Sequence, residues 1–165
     1  MRYGAHVSTA AAVWGAACIG LGFQPEPAGF ALVCLGSVLP DIDHEESWIG
    51  RRVGFIATLV KTYAGGHRGA THACWPVVAL FLASFVWPYL TPVAVGYATH
   101  LAGDYLCDGG IPLLWGYDNR RFGQHLFVTG DRCETFIALG AVAAAFVLVQ
   151  IAAAWAPVVG TVLAG

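Results

Sequence analysis

Long stretches of this chain carry no charge at all. Between Arg2 and Glu26, between Glu26 and Asp41, between His72 and Asp104, and beyond Glu134, no residue is charged at neutral pH. Ions on an ordinary soluble domain are spread along the chain, because every element has a face in water. Here they crowd into two segments, 41–72 and 100–134. Of the 165 residues 58% are apolar and 11% charged, against about 25% charged in an average soluble domain. The mean hydropathy of +0.66 excludes a disordered chain, a fibre and a soluble enzyme with a charged surface. A net charge of −2 leaves no basic footprint, so nucleic acid is not an expected partner. The length suits one domain over 1–165. Cys18, Cys34, Cys74, Cys107 and Cys133 form no C-x-x-C pair and imply neither a disulfide framework nor a zinc knuckle.

The gaps are long enough to matter. A helix needs about 20 apolar residues to cross the hydrocarbon of a bilayer. Residues 7–23 meet that, and Gln24-Pro-Glu-Pro27 then turns the chain. Residues 28–40 form a shorter run that ends at Pro40. Residues 73–106 are broken by Trp87-Pro-Tyr-Leu-Thr-Pro92 and read as two spans, about 73–88 and 92–106. Residues 135–156 are the fifth. The expected fold is all-α: a polytopic membrane bundle of about five transmembrane helices. Val53–Val60, between Arg51-Arg52 and Lys61, reads as a short interfacial helix. Trp87, Tyr89 and Trp155 suit one membrane interface, and Trp48, Trp75, Trp115 and Tyr117 the other. The first run has the basic start of a signal peptide but no small-x-small cleavage site before the prolines, so a retained helix is expected. With five spans, all eight Lys and Arg fall on one side. That side is cytoplasmic by the positive-inside rule, with the N-terminus inside.

The same map carries the chemistry. His6, Asp41, Asp43, His44, His67, His72, His100, Asp104 and Glu134 all fall at the inner ends of the spans. In His100-Leu-Ala-Gly-Asp104, residues i and i+4 share a helix face, so imidazole and carboxylate can grip one cation. The plain alternative is a polar pair tying helices together, but ionisable groups inside a span cost about 2.5–3.5 kcal/mol each, which favours a function. Gly96 and Gly103 would let a neighbouring helix approach closely. In Leu39-Pro-Asp-Ile-Asp-His44 the proline predicts an extended segment. Asp41 and Asp43 would then face one side and His44 the other. Such carboxylates suit a hard or borderline divalent metal; the alternative is a solvated helix end. In Gly65-Gly-His-Arg-Gly-Ala-Thr-His72, the two histidines can converge if His67 lies in the loop and His72 in a first helical turn. Arg68 between them matches an anionic oxygen, or is simply a cytoplasmic anchor. Glu134 reads as a ligand, a general base or an acid at a helix N-terminus. His125 is not expected to be a ligand.

Taken together and in this order, His6, Leu39-Pro-Asp-Ile-Asp-His44, His67-Arg-Gly-Ala-Thr-His72 and His100-x-x-x-Asp104 resemble the YdjM-like bacterial inner-membrane proteins. That family is described as LexA-regulated and is ascribed metal-dependent hydrolase activity. The likeness runs over about residues 1–136 and includes Gly110-Ile-Pro-Leu-Leu-Trp115, Thr129-Gly130 and Glu134. A looser likeness, through His100-x-x-x-Asp104, is to helical zinc phospholipases C and single-strand nucleases. Their second histidine four residues before a Glu has no counterpart here, since Gly130 precedes Glu134.

The resemblance implies a hydrolase of the bacterial inner (cytoplasmic) membrane with its site on the cytoplasmic face. The expected metal ligands are His6, Asp41, Asp43, His67, His72, His100 and Asp104. They would hold two or three divalent ions, zinc first and Mn2+ or Mg2+ as alternatives, that activate water for attack on phosphorus or a carbonyl. Arg68 would stabilise developing negative charge, and Glu134 or His44 would shuttle protons or hold a ligand. Membrane lipids are the expected partners, and a phospholipid or another phosphoester the expected substrate. The rivals are a non-catalytic metal-binding scaffold or adaptor, a metal transporter, and a purely structural bundle. Transport predicts polar groups on the outer half of the spans, where Gln150 is the main one.

Overall fold

The computed structural model describes residues 2–24 and 26–163, of which 149 and 152–163 as backbone alone. The expectation for Trp155 lies outside the described side chains. Helices α1 (Tyr3–Gly20), α2 (Pro27–Val38), α5 (Cys74–Ser84), α6 (Leu90–Leu106) and α7 (Arg132–Leu163) stand where the five apolar runs were read. Between α2 and α5 lie two short helices, α3 (Gly50–Val53) and α4 (Phe55–Tyr63). These replace the single interfacial helix expected there. The described residues are all-helical apart from three isolated β-bridges, Cys107–Phe127, Ile111–Phe122 and Leu114–Asp118.

Among the described residues no helix is long and apolar enough to cross a membrane. Helices α2 and α5 have 12 and 11 residues, so each is about 16–18 Å long, against about 30 Å of hydrocarbon. The prolines explain part of this. Pro27 occupies the first turn of α2, where its missing N–H costs nothing, and Pro92 does the same in α6.

The packing centre is the α2–α6 pair, joined by α1 and by α5. Two glycines set their separation. A Cβ on Gly36 would lie 2.2 Å from the Val93 carbonyl oxygen, and one on Gly96 would lie 2.1 Å from that of Val33. The backbones therefore touch, as small-residue helix pairs do, and the expectation for Gly96 holds.

The burial pattern departs from that of a soluble domain. Asp43, His72 and His100 are 0% exposed, whereas Phe85, Val86 and Phe136 are 86%, 69% and 69% exposed. Polar groups occupy the centre at one end of the bundle, and large apolar side chains cover its sides.

One local reading is corrected. Residues 39–43 are not extended but form a 3-10 turn continuing from α2. Pro40 sits in its first turn, where proline is tolerated, so it does not break the helical path. Helix α6 stops at Leu106, before Gly109-Gly110. Asp108 lies beyond the helix end and faces His125 at 3.3 Å. The segment after α6 folds back beneath it: Gln124 and Leu126 N–H groups donate to the Tyr105 and Leu106 carbonyls at 2.8 and 3.0 Å.

Candidate metal centre

Three segments meet at the polar end of the bundle. Helix α6 presents Tyr97, His100 and Asp104 on one face, by their spacing of three and four residues. The 3-10 turn brings Asp41 and Asp43. A second 3-10 turn, Ala70–His72, brings Thr71 and His72. Helix α1 adds His6, whose ring stacks on that of His100 with centroids 3.7 Å apart and planes 11° apart.

Two triads of donor atoms result, His6–His100–Asp104 and Asp41–His72–His100, each with its atoms within 4.8 Å of one another. His72 Nε2 is 3.7 Å from Asp41 Oδ1 and 3.5 Å from Asp104 Oδ2. His100 Nε2 is 3.7 Å from both carboxylates. On the other side, His6 Nε2 is 3.4 Å from Asp104 Oδ1. These separations exceed ordinary hydrogen bonds. Accordingly the ring nitrogens of His6 and the Nε2 atoms of His72 and His100 are buried without a hydrogen-bond partner. Two donors held about 2.1 Å from one tetrahedral ion lie about 3.4 Å apart, so the spacing fits a divalent cation. The two oxygens of Asp104 face different imidazoles, as a carboxylate shared by two ions would.

The far nitrogens fix which atom of each ring is available. His100 Nδ1 donates to the Ser37 carbonyl at 2.7 Å, which leaves the Nε2 lone pair for the site. The Thr71 hydroxyl contacts both Asp43 Oδ2 and His72 Nδ1, the latter at 3.0 Å. A carboxylate can only accept, so the hydroxyl gives its proton to Asp43 and accepts from His72 Nδ1–H. His72 Nε2 is thereby aimed at Asp41 and Asp104.

Asp43 thus stands behind His72 rather than beside Asp41. Besides Thr71 it accepts from His67 Nδ1 at 2.9 Å and from the Arg68 N–H at 3.0 Å. The expected common face for Asp41 and Asp43 does not form, because a 3-10 turn has three residues per turn and points residues two apart in different directions. His67, with its Nδ1 taken by Asp43, is not one of the converging donors among the described residues. It lines a cavity of about 890 Å³ together with Asp41, His44, Arg68 and Asp104.

Electrostatics agree with a cation site. Burial would raise the Asp41 and Asp43 carboxyls. The charge of His72, His100 and His6 near Asp41, and the His67 and Thr71 hydrogen bonds with the charge of His72 at Asp43, outweigh it and hold both below the usual carboxylate range. Burial would lower His72, but Asp104, Asp41 and Asp43 together raise it to about 10. Without another cation, the carboxylates draw a proton onto His72.

Arg68 has φ of 59°, the left-handed region that non-glycine residues rarely adopt. Its guanidinium pairs with Asp104 at 2.9 Å and donates to the Gly110 carbonyl at 3.3 Å. A Cβ on Gly109 would lie 2.1 Å from Arg68 Nη1, so glycine there admits the guanidinium. His44 packs its ring 4.5 Å from that of His67. Glu134 is buried, but its oxygens accept from the Arg2 and Gly130 N–H groups, the latter at 2.7 Å. That is the helix-start role rather than contact with the cluster. His125 donates to the Asp108 carbonyl at 2.7 Å.

Sequence reasoning missed the supports. Tyr97, whose hydroxyl donates to the Thr71 carbonyl, was discoverable as the residue one turn before His100. Thr71 stands inside the Gly65–His72 motif, and its bond to Asp43 crosses from another segment, which no local pattern reveals. Ser37 acts through its carbonyl, which no side-chain pattern reveals.

The chain matches the family model described as YdjM inner membrane protein over residues 1–165. It is 35% identical over 119 residues to the inner membrane protein YdjM of Escherichia coli (strain K12), covering 66% of this chain and 58% of that protein. The same figures hold for the Shigella flexneri YdjM. It is 31% identical over 114 residues to a Bacillus subtilis (strain 168) protein named uncharacterized protein YvsG, covering 67% of this chain and 70% of that one. The chain therefore spans a little over half the length of the YdjM proteins it matches. No solved structure matches it. The His/Asp cluster expected from the motifs is thus set in a whole-length family match, and the chain belongs to the YdjM inner membrane protein family.

Proposed function

We propose that this chain is a metal-dependent hydrolase of phosphoesters, held in the bacterial inner membrane as a multi-pass bundle with its N-terminus and its site on the cytoplasmic side. The observation that carries the catalytic part is the set of buried, unpartnered imidazole nitrogens of His6, His72 and His100 facing Asp41 and Asp104. Burying such nitrogens without a partner costs about 1–3 kcal/mol each, a cost that a bound cation removes. The membrane part is supported by the family's name and by the large apolar side chains on the outside of the bundle.

Asp41, His72 and His100 would hold one divalent ion, zinc by its preference for imidazole and carboxylate, and Asp104 would join it to a second on the His6 side. When bound, such ions supply Lewis acidity toward a phosphoryl oxygen and toward water. The chain's own residues do the rest. Arg68 lies beside Asp104, where its planar fork receives the non-bridging oxygens of a phosphate and offsets charge as it builds up. His67 lines the cavity with Nδ1 bonded to buried Asp43, so Nε2 is free to take a proton from water and return it to the leaving group. In the reaction a water oxygen forms the new P–O bond, the ester P–O bond breaks, and one water proton ends on the departing alcohol. This assigns His67 and Asp43 to proton movement and positioning, and leaves Glu134 to hold the start of α7.

Elemental analysis of detergent-purified protein tests the metal part. At least one tightly held divalent ion per chain is expected in the wild type, with a loss in Asp104→Asn. A metal-free wild type of equal stability would remove the ligand argument. Loaded protein that hydrolyses no phospholipid, nucleotide or other phosphoester would leave a metal-binding scaffold.

A further inference from the structure

A second cavity adjoins the centre from the apolar side. It holds about 520 Å³ and runs between α1 and α6. Its α1 wall is His6, Thr9 and Val13, three positions on one helix face. Its α6 wall includes Ala98, Ala102 and Gly103, also one face, and their small side chains hollow the groove. The groove is apolar along most of its length. At its inner end two lining side chains carry buried polar atoms with no hydrogen-bond partner, Nδ1 of His6 and Oγ1 of Thr9. His6 itself is 2% exposed.

The larger cavity on the other side has the opposite character. Arg51, Arg52 and Arg121 line it with Arg68 and Asp104. Arg51 and Arg52 bond the backbone carbonyls of Glu46 and Trp48 at 2.8 and 2.6 Å, so these guanidiniums keep their charge for an anion. His6 lines the groove and Asp104 lines this cavity, and the two side chains lie 3.4 Å apart. A ligand that occupies both must be anionic at one end and hydrocarbon at the other, with its junction at the cluster.

We infer that the α1–α6 groove is an acyl-chain site and that the substrate class is a long-chain lipid phosphate. The phosphate lies on the Arg68 side of Asp104 and the chain lies along Thr9, Val13, Ala98 and Ala102. This rests on the hydrolase reading for turnover, but binding does not depend on it. The hydrophobic contact also explains why small residues line a face that looks outward from the bundle.

The test uses the full-length protein in nanodiscs. A hexadecyl phosphonate with a diazirine in its chain is the probe, and crosslinks are mapped by mass spectrometry. Labelling concentrated on α1 and α6 around Val13 and Ala98 is expected, with at least a fivefold loss in Ala98→Phe. A smaller filling variant, Ala98→Leu, guards against misfolding, and unchanged metal content shows that the centre survives. Labelling spread evenly around the apolar perimeter would mark ordinary boundary lipid and overturn the inference. In the activity arm, Ala98→Phe should raise KM for a hexadecyl phosphoester at least tenfold and leave hydrolysis of a short-chain, water-soluble phosphoester unchanged. Equal effects on both substrates would also overturn it. If the wild type labels in the groove but hydrolyses neither substrate, the groove stands and the hydrolase reading falls.

Discussion

Replacing Asp43 by Asn is the most informative single perturbation, because it separates a ligand from a residue that orients one. The carboxylate accepts from the Thr71 hydroxyl, the Arg68 N–H and His67 Nδ1, and its Oδ2 lies 3.4 Å from His72 Nδ1. The carboxamide has the same shape. With its oxygen at the Oδ2 position it still accepts from Arg68 and Thr71, and its NH2 meets His67, which can present a lone pair by changing tautomer. What is lost is charge. Hydrogen bonds to a charged acceptor contribute about 1.5–3 kcal/mol against about 0.5–1.5 for neutral ones, so the loss of stability is about 2–3 kcal/mol. The proton on His72 Nδ1 is then held less firmly, and outer partners of this kind are worth about 10–100-fold in metal affinity. The assay is competition of metal-free protein against a chromophoric zinc chelator, with thermal unfolding in parallel. Asp43→Asn should keep the ion count of the wild type while its affinity falls 10–100-fold. Loss of a whole ion, as expected for Asp104→Asn, would make Asp43 a direct ligand. A change below threefold would show that the Asp43–Thr71–His72 chain does not orient the ring.

Further outcomes follow from the same geometry. Gly96→Ala puts a Cβ 2.1 Å from a backbone oxygen that cannot turn away and should cost about 1–3 kcal/mol by thermal unfolding. Gly140→Ala, with nothing within 4 Å, should change stability little or raise it by up to about 1 kcal/mol. Gly109→Ala meets only the movable tip of Arg68, so the fold should persist while the proposed hydrolysis falls by about 100-fold from misplaced guanidinium. Unchanged turnover would deny Arg68 a role at the phosphate. In the metal-free protein His72 titrates at about 10 rather than 6.5. Its contribution to stability is therefore full below about pH 6.5 and is lost as pH rises through about 10. Unfolding temperatures across that window should fall more steeply in the wild type than in His72→Gln; equal slopes would contradict the carboxylate cage.

Much of this protein is settled by patterning. The charge-free gaps located five helices to within seven residues at either end, because apolar runs bounded by proline and charge leave the backbone little else to do. The same gaps gathered the histidines and, apart from Glu26, the charged side chains toward one end, so the candidates for a cluster were legible, though not which of them converge. The spacing of His100 and Asp104 put them on one face, since helix periodicity is local.

The roles within the cluster were decided only in three dimensions. Whether Asp43 binds a cation or steers His72 depends on a 3-10 turn where proline suggested an extended segment, and on Thr71 arriving from 28 residues away. That Glu134 ties the start of α7 to the start of α1 depends on the Arg2 N–H, 132 residues away in sequence. The groove depends on two helix faces meeting, and each face alone is only a row of small residues. Periodicity specifies which side of an element a residue occupies. What it touches across the bundle depends on where the other elements stop and turn, and those stops are set by packing between segments distant in the chain.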